Sequence, residues 1–514
     1  MIRRRTMIHM GLALPALSQA SSSPADVVVY GATPAGILAA LGAAAAGRSV
    51  TLLEQSRHLG GMVTGGLGAT DKGKPEAIGG LALEFFRRAG KVYGEPVAWW
   101  FEPNVALRIF GDWLHEAGLQ PRFAAELADV RLSGGRIEAL RTTDGRTFAG
   151  RMFIDASYEG DLMAKAKVPY TVGREGQDQY NEPLAGRLEF STWDQFWTIV
   201  NPFSKDGRLL PLIHNGDSGK PGAADRKVQA YNFRLCLSND KTNQRPLVAP
   251  PGYDPARYEL LGRYLRNPGR ALTLNNVLML VAIPNHKVDV NNNGPVSTDY
   301  LGANWDYPEG SWARRNEIWL DHKHYTQGLL HYLAEASGVP THLRDEMRTW
   351  GYAKDEFQDS GGFPPQLYVR ECRRMLGQYV MRQADLLTDT RKPDAVGLGS
   401  YNIDSHHFQR VASPVGAVLN EGFLNQRGVP VYQLPYRCLV PKPGDCANLL
   451  VPVCLSASHV AYSSIRMEPQ YMLLGHACGV AAAQAIRQKV AVQDVDLREL
   501  QSTLLAQGQL IHAG

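Results

Sequence analysis

The chain has 514 residues, a formal net charge of +4, 44% hydrophobic and 20% charged residues, proportions of a folded protein long enough for two or three domains. So small a charge excess, with no basic run beside an aromatic array, argues against nucleic acid as a partner. No run of about 18 apolar residues is present to span a membrane. Six cysteines, at 236, 372, 438, 446, 454 and 478, are too sparse for a disulfide scaffold and form no C-x-x-C pair. Cys438 and Cys446 flank a Pro-Gly turn and could bridge in an oxidising compartment; most of the six read as buried small hydrophobes.

Residues 1–24 differ from the rest. Arg3-Arg4-Arg5 precede an apolar segment from Met7 to Leu17, and Ser18-Gln19-Ala20 offers small residues where a signal peptidase reads. This reads as an export signal, its arginines resembling a twin-arginine signal, with the mature chain starting near Ser21. The expected location is therefore periplasmic or secreted. A basic N-terminal tail is the alternative.

Val27-Val28-Val29 suit a strand buried on both faces, ending at Gly31. From Gly36 to Ala46 small and aliphatic residues predict a helix that can lie close on a sheet, and Val50 to Leu53 predicts a second parallel strand ending at Glu54. A glycine at the turn lets the backbone approach a pyrophosphate, the helix N-terminus offers free N–H groups, and an acid roughly 20 residues on can hold a ribose. In Gly31-Ala32-Thr33-Pro34-Ala35-Gly36 the middle glycine of G-x-G-x-x-G is Thr33, whose hydroxyl could donate to phosphate.

A second glycine cluster follows the acid, Gly60-Gly61-Met62 and then Gly65-Gly66-Leu67-Gly68. With YGATPAG, Glu54 and HLGGMVTGGLGATD, the sequence resembles the FAD-dependent oxidoreductases of the glutathione-reductase-like flavoprotein fold, in a group of exported bacterial proteins sometimes labelled xanthan-lyase-like. The resemblance implies FAD, and an α/β fold in which a Rossmann-like FAD-binding domain carries an inserted α+β substrate domain. The expected boundaries are 25–184 for the first part of the FAD-binding domain, 185–395 for the substrate domain and 396–514 for the second part.

Residues 79–92 and 104–118 have helical periodicity and read as core packing. Ser133-Gly134-Gly135 and Thr143-Asp144-Gly145 signal hairpins of a small meander that returns through a strand over 151–154. That strand ends at Asp155-Ala156-Ser157-Tyr158-Glu159-Gly160-Asp161. The resemblance places this segment against the FAD phosphates and ribose, making Asp155, Gly160 and Asp161 cofactor candidates; an acidic surface turn is the alternative.

Between 185 and 395, tryptophans and tyrosines are scattered among Asn, Asp, Pro and Gly. Most are core residues, but aromatic faces with interleaved amides and acids suit sugars or other polar rings. Asp289-Val290-Asn291-Asn292-Asn293-Gly294 matches half of a calcium loop, but Tyr300 stands where a bidentate Glu is needed, so no metal is expected. Residues 368–374 read as a helix. Asp404, His406 and His407 lie together at a turn and can move protons near neutral pH.

In the resembled fold a late helix, here read as Met472 to Ile486 with Gly475 and Gly479, points its N-terminus at the flavin pyrimidine ring. Gly475 and Gly479 join the cofactor candidates. Hydride transfer from a carbinol carbon needs a base and a cation. His459 or His406 is the candidate base with Asp404 orienting, Arg466 or Arg437 the cation, and Tyr436 an assistant. The expected activity is hydride transfer between flavin and a small-molecule or oligosaccharide substrate, with an electron acceptor that the sequence does not identify. Elimination or glycoside cleavage through transient sugar oxidation and non-catalytic FAD or carbohydrate binding are the alternatives. His58 precedes the glycine cluster and reads as a polar turn residue, covalent flavin attachment being the alternative.

Overall fold

The structure, a computed structural model, describes residues 24–215 and 217–512. All but the last residue of the expected export signal lie outside these.

Five strands build the first layer: β1 (Ala25–Tyr30), β2 (Val50–Leu53), β3 (Leu127–Ser133), β4 (Arg136–Thr142) and β5 (Thr147–Asp155). Val27, Val28 and Val29 are wholly buried, because β1 is central and covered on both faces. It pairs in parallel with β2 on one side and with the second half of β5 on the other. The first half of β5 pairs antiparallel with β4, which pairs with β3. One strand thus serves both the parallel layer and the meander. Its free edge takes Leu449–Leu450, again in parallel.

Helix α1 (Pro34–Ala45) follows β1 and packs parallel to a late helix, Glu468–Gln488. The late helix is longer at both ends than its apolar run predicts. A Cβ on Gly475 would lie 2.1 Å from the Ala35 carbonyl oxygen, and one on Gly479 2.1 Å from that of Ala39. These two glycines therefore bring the helix axes together, and their close-packed faces are turned to α1 and not to a dinucleotide.

A second, antiparallel sheet has the order Gln244–Arg245, Gly351–Ala353, Leu235–Ser238, Lys287–Asn292, Leu278–Ile283. The half-calcium-loop motif is thus mostly strand. Asp289 is spent on a bidentate pair with Arg234, so the acid such a loop needs is already neutralised. Residues 368–374 are extended, with a strand at Arg373–Met375 where a helix was expected. Buried ion pairs from Arg373 and Arg374 to Asp161 and Glu175 override the local helical pattern. All six cysteines are free and buried; Cys438 and Cys446 do not bridge.

Candidate active site

The β1–α1 turn is shaped by two glycines. Gly31 has φ +97°, and a Cβ on Gly36 would fall 1.8 Å from the Gly31 carbonyl oxygen. Thr33 caps α1, accepting from the Gly36 N–H and donating its hydroxyl proton to the Ala156 carbonyl at 2.7 Å. Its hydroxyl is therefore spent on the fold and does not serve a phosphate. Pro34 has no N–H, and the buried N–H groups of Thr33 and Ala35 meet no acceptor among the described residues. Glu54 stands at the end of β2, taking the Ala32 and Ser56 N–H groups at 2.8 Å each; burial holds its carboxyl above the usual carboxylate range against these bonds. Unpaired donors at a helix N-terminus, a turn with no room for a side chain and an acid at the next strand end fit an adenine dinucleotide.

The glycine cluster closes on this turn. The Gly60 N–H donates to the Ala32 carbonyl, and the Met62 N–H to the Tyr158 hydroxyl at 3.0 Å. A Cβ on Gly61 would lie 2.4 Å from that hydroxyl. Asp155 holds the following turn together, accepting from Ser157 and from the Met163 N–H, and burial pushes its carboxyl up to about 7. Gly160, φ +68°, caps the short helix Asp161–Lys165. The Asp161 side chain is engaged by Arg315 and Arg373, at 2.6 and 2.7 Å, so its carboxylate is committed to the protein and not to a ribose. His58 bonds Asp359 through Nδ1 and Thr64 through Nε2, which makes it a structural turn residue.

Beyond the glycine cluster lies a cavity of about 250 Å³. One wall carries Asp71, just past that cluster, and Arg466, two residues ahead of the late helix. The second sheet and its following turn add Asn291, Asn292 and Asn293 to the lining. Trp193 and Phe423 stack at its rim, 6.3 Å between centroids and 15° from parallel.

Two candidate catalytic groups meet here because Asp404 and His406 stand two residues apart on an extended segment, on one face. Asp404 pairs with Arg466 at 3.2 Å and does not orient the imidazole. That task falls to Asp299, which bonds His406 Nδ1 and is backed by Arg370 at 3.0 Å. Against its burial, Arg370 and His406 hold the Asp299 carboxyl below the usual range. An ionised carboxylate only accepts, so Nδ1 carries the proton and Nε2 is left as the basic nitrogen. Burial, with Arg370, also lowers the His406 pKa, keeping the ring neutral at neutral pH.

The other candidates lie outside the cavity lining. His459 is 1% exposed and bonds Glu371 at 2.9 Å, within a buried network that includes Arg374 and Glu175. The Tyr436 hydroxyl donates to the Val492 carbonyl, and Arg437 pairs with Asp394. Asp299, Arg370, Arg234 and Tyr368 contribute to the site without having been expected. Asp299 lies 107 residues from its histidine, and no local pattern marks it.

This arrangement is that of a flavoprotein, and the comparisons with known proteins agree. The chain belongs to the FAD dependent oxidoreductase family, which it matches over residues 26–504. Its cofactor is FAD and it is an oxidoreductase. No curated protein matches it. Among solved structures, a flavin-containing monooxygenase from Stenotrophomonas maltophilia is 18% identical over 31% of this chain and 44% of its own, TM-score 0.20. L-proline dehydrogenase from P. horikoshii is 15% identical over 30% of this chain and 58% of its own, TM-score 0.25. Thioredoxin reductase from T. acidophilum is 20% identical over 26% of this chain and 34% of its own, TM-score 0.18. The matched part is less than two thirds of each of these chains.

Proposed function

We propose that this oxidoreductase oxidises an alcohol carbon of a hydroxyl-rich ring, a carbohydrate, held in the cavity beside His406. The observation that carries the reading is the imidazole fixed by Asp299, with its basic Nε2 on a residue that lines the cavity. FAD, when bound, supplies the hydride acceptor. The chain's own residues do the rest. His406 Nε2 takes the hydroxyl proton, and the Asp299 carboxylate stabilises the imidazolium that results. Arg466, held by Asp404 and Tyr368, supplies positive charge for the developing oxyanion. Asn291 offers its amide N–H groups and Asn293 its Oδ1 to further hydroxyls, Asn292 being engaged by Asp194 and the Asp299 N–H, and the Trp193–Phe423 stack offers an apolar face to a ring's C–H groups. Export to the periplasm or beyond is part of this reading and rests on the Arg3-Arg4-Arg5 segment and the apolar run after it.

The test is anaerobic bleaching of the yellow protein against neutral sugars, uronic acids and amino acids. Bleaching by one of the sugars and its loss in His406→Ala, with flavin content unchanged, is expected. Bleaching by amino acids alone, or unchanged bleaching in His406→Ala, overturns the proposal. Sustained turnover without an electron acceptor would move the chemistry to elimination or glycoside cleavage. Fractionation of the source cells, with the chain expected outside the cytoplasm, tests export.

A further inference from the structure

The cavity beside His406 is lined by the arginines at 234, 427 and 466, and two of them are already committed. Arg234 is held by Asp289 through two hydrogen bonds, and Arg466 is paired with Asp404. Arg427 is exposed, and among the described residues it has no carboxylate partner. Its Nε reaches only the Asn425 Oδ1, at 3.4 Å, and its two Nη groups meet no acceptor among those residues. The acids of the lining are the opposite case. Asp404 has Arg466, Asp71 takes the Tyr401 hydroxyl at 3.2 Å and faces Arg234 Nη1 at 4.0 Å, and Asp194 takes the Gly294 N–H and the Asn292 amide. The lining therefore keeps one cation free for a ligand.

The backbone fixes where that cation stands. Ile403–Ser405 and Leu424–Gln426 pair antiparallel, with Asp404 opposite Asn425. Alternate residues along both segments line the cavity, Asn402, Asp404 and His406 on one and Phe423, Asn425 and Arg427 on the other, as a period of two requires. The same register sets His406 beside Phe423, their rings 6.3 Å apart, and Arg427 beside Asn402. Base and free cation thus occupy the two ends of one face, four residues or about 13 Å of strand apart. Trp193, 49% exposed, bridges them: it stacks on Phe423, and the Arg427 guanidinium lies over its ring at 5.1 Å. Stacking uses the face of a guanidinium and leaves its N–H edge open, the edge that matches a carboxylate's two oxygens.

We propose that Arg427 is a specificity-determining residue and that the carbohydrate is acidic, a uronic acid whose carboxylate takes the N–H edge of Arg427 while its ring lies against Trp193 and its reacting hydroxyl meets His406. The inference rests on the carbohydrate reading of this cavity and narrows it. A neutral sugar leaves the guanidinium to water, and a carboxylate gains charge-assisted hydrogen bonds there.

The experiment measures anaerobic bleaching of the flavin-loaded protein at increasing concentrations of a panel of uronic acids, their methyl esters and the parent neutral sugars, giving an apparent Kd for each. The ester keeps the ring and removes the charge. Wild type is expected to bind the acid at least tenfold more tightly than its ester, as hydrogen bonds to a charged group do. In Arg427→Gln that ratio should fall to near one, and Arg427→Lys, a point charge without the fork, should keep part of it. Flavin content and thermal melts confirm that each variant is folded. The acid-to-ester ratio is a readout that a merely structural loss would not move. Wild type that binds the acid no more tightly than the ester, bleaching by neutral sugars alone, or an Arg427→Gln variant with the wild-type ratio overturns this proposal and leaves the carbohydrate reading standing. Bleaching by no sugar, acidic or neutral, overturns both.

Discussion

Gly475→Ala adds one methyl group where the late helix crosses α1. The new Cβ would sit 2.1 Å from the Ala35 carbonyl oxygen and 2.7 Å from the Ala35 carbonyl carbon, whereas real Cβ atoms essentially never approach below 3.0 Å. The obstacle is backbone on both sides, so no side chain can rotate away and the helices must separate by about 1 Å. Overpacking of this kind costs about 1–3 kcal/mol, and its unyielding partner argues for the upper end. Opposing it, alanine gains about 1 kcal/mol over glycine in a helix interior. The net expectation is a loss of about 2 kcal/mol, the difference between those two terms. Gly111, in the exposed face of the helix Pro103–Glu116, has nothing within 4 Å of its Cβ position and serves as the control. Gly111→Ala should stabilise by about 0.5–1 kcal/mol through helix propensity alone. Urea melts by far-UV circular dichroism, compared at the first transition because a chain of this size need not unfold in one step, give the order Gly111→Ala, wild type, Gly475→Ala. Gly475→Ala also shifts the start of α1 and should weaken FAD binding. Equal stability of the two alanine variants would refute the packing argument.

Asp299→Asn should leave FAD content unchanged while lowering kcat by tenfold or more, because the amide no longer enforces the Nδ1–H tautomer or stabilises the imidazolium; part of the roughly 10²–10⁴-fold worth of a general base is then lost, and steady-state kinetics check it. His459→Ala removes one partner of the buried Glu371 and leaves it Arg374 and Gln229, so its expected effect is on stability, about 1–3 kcal/mol by the usual cost of losing a buried hydrogen bond, with soluble yield and melting temperature as readouts. A His459→Ala variant that melts normally and lacks turnover would return that histidine to catalysis. Asp155 in the folded chain keeps its proton up to about pH 7, far above the unfolded value, so its contribution is full at low pH and is lost as pH rises through 7. The melting-temperature advantage of wild type over Asp155→Asn should therefore shrink between pH 5 and pH 8, and a constant gap refutes this.

Local chemistry made the dinucleotide half of the fold readable. Val27–Val29, the glycines at 31 and 36, and Glu54 are held within one β-α-β unit whose every requirement is met by neighbours in sequence. Asp404, His406 and Arg466 were legible as chemistry, yet their pairing was not, because Asp299 reaches His406 from a distant segment. Side-chain commitments made across the fold were also invisible: Thr33 to Ala156, Asp161 to Arg315 and His459 to Glu371 each consume a group that looked free for ligand or substrate. Gly475 and Gly479 gave the right helix and the wrong neighbour, since a small residue is equally needed beside a backbone or beside a cofactor.

The strand Leu449–Leu450 completes the edge of β5, and the Asn448 side chain clasps β4 at Ile137 from 311 residues away. During synthesis the N-terminal unit therefore waits, with that edge bare, until almost the whole polypeptide has left the ribosome. Contacts of such long separation form slowly. Cofactor capture accordingly belongs to the end of biogenesis, and a chain truncated before Leu449 would leave the nucleotide-binding layer open at its β5 edge.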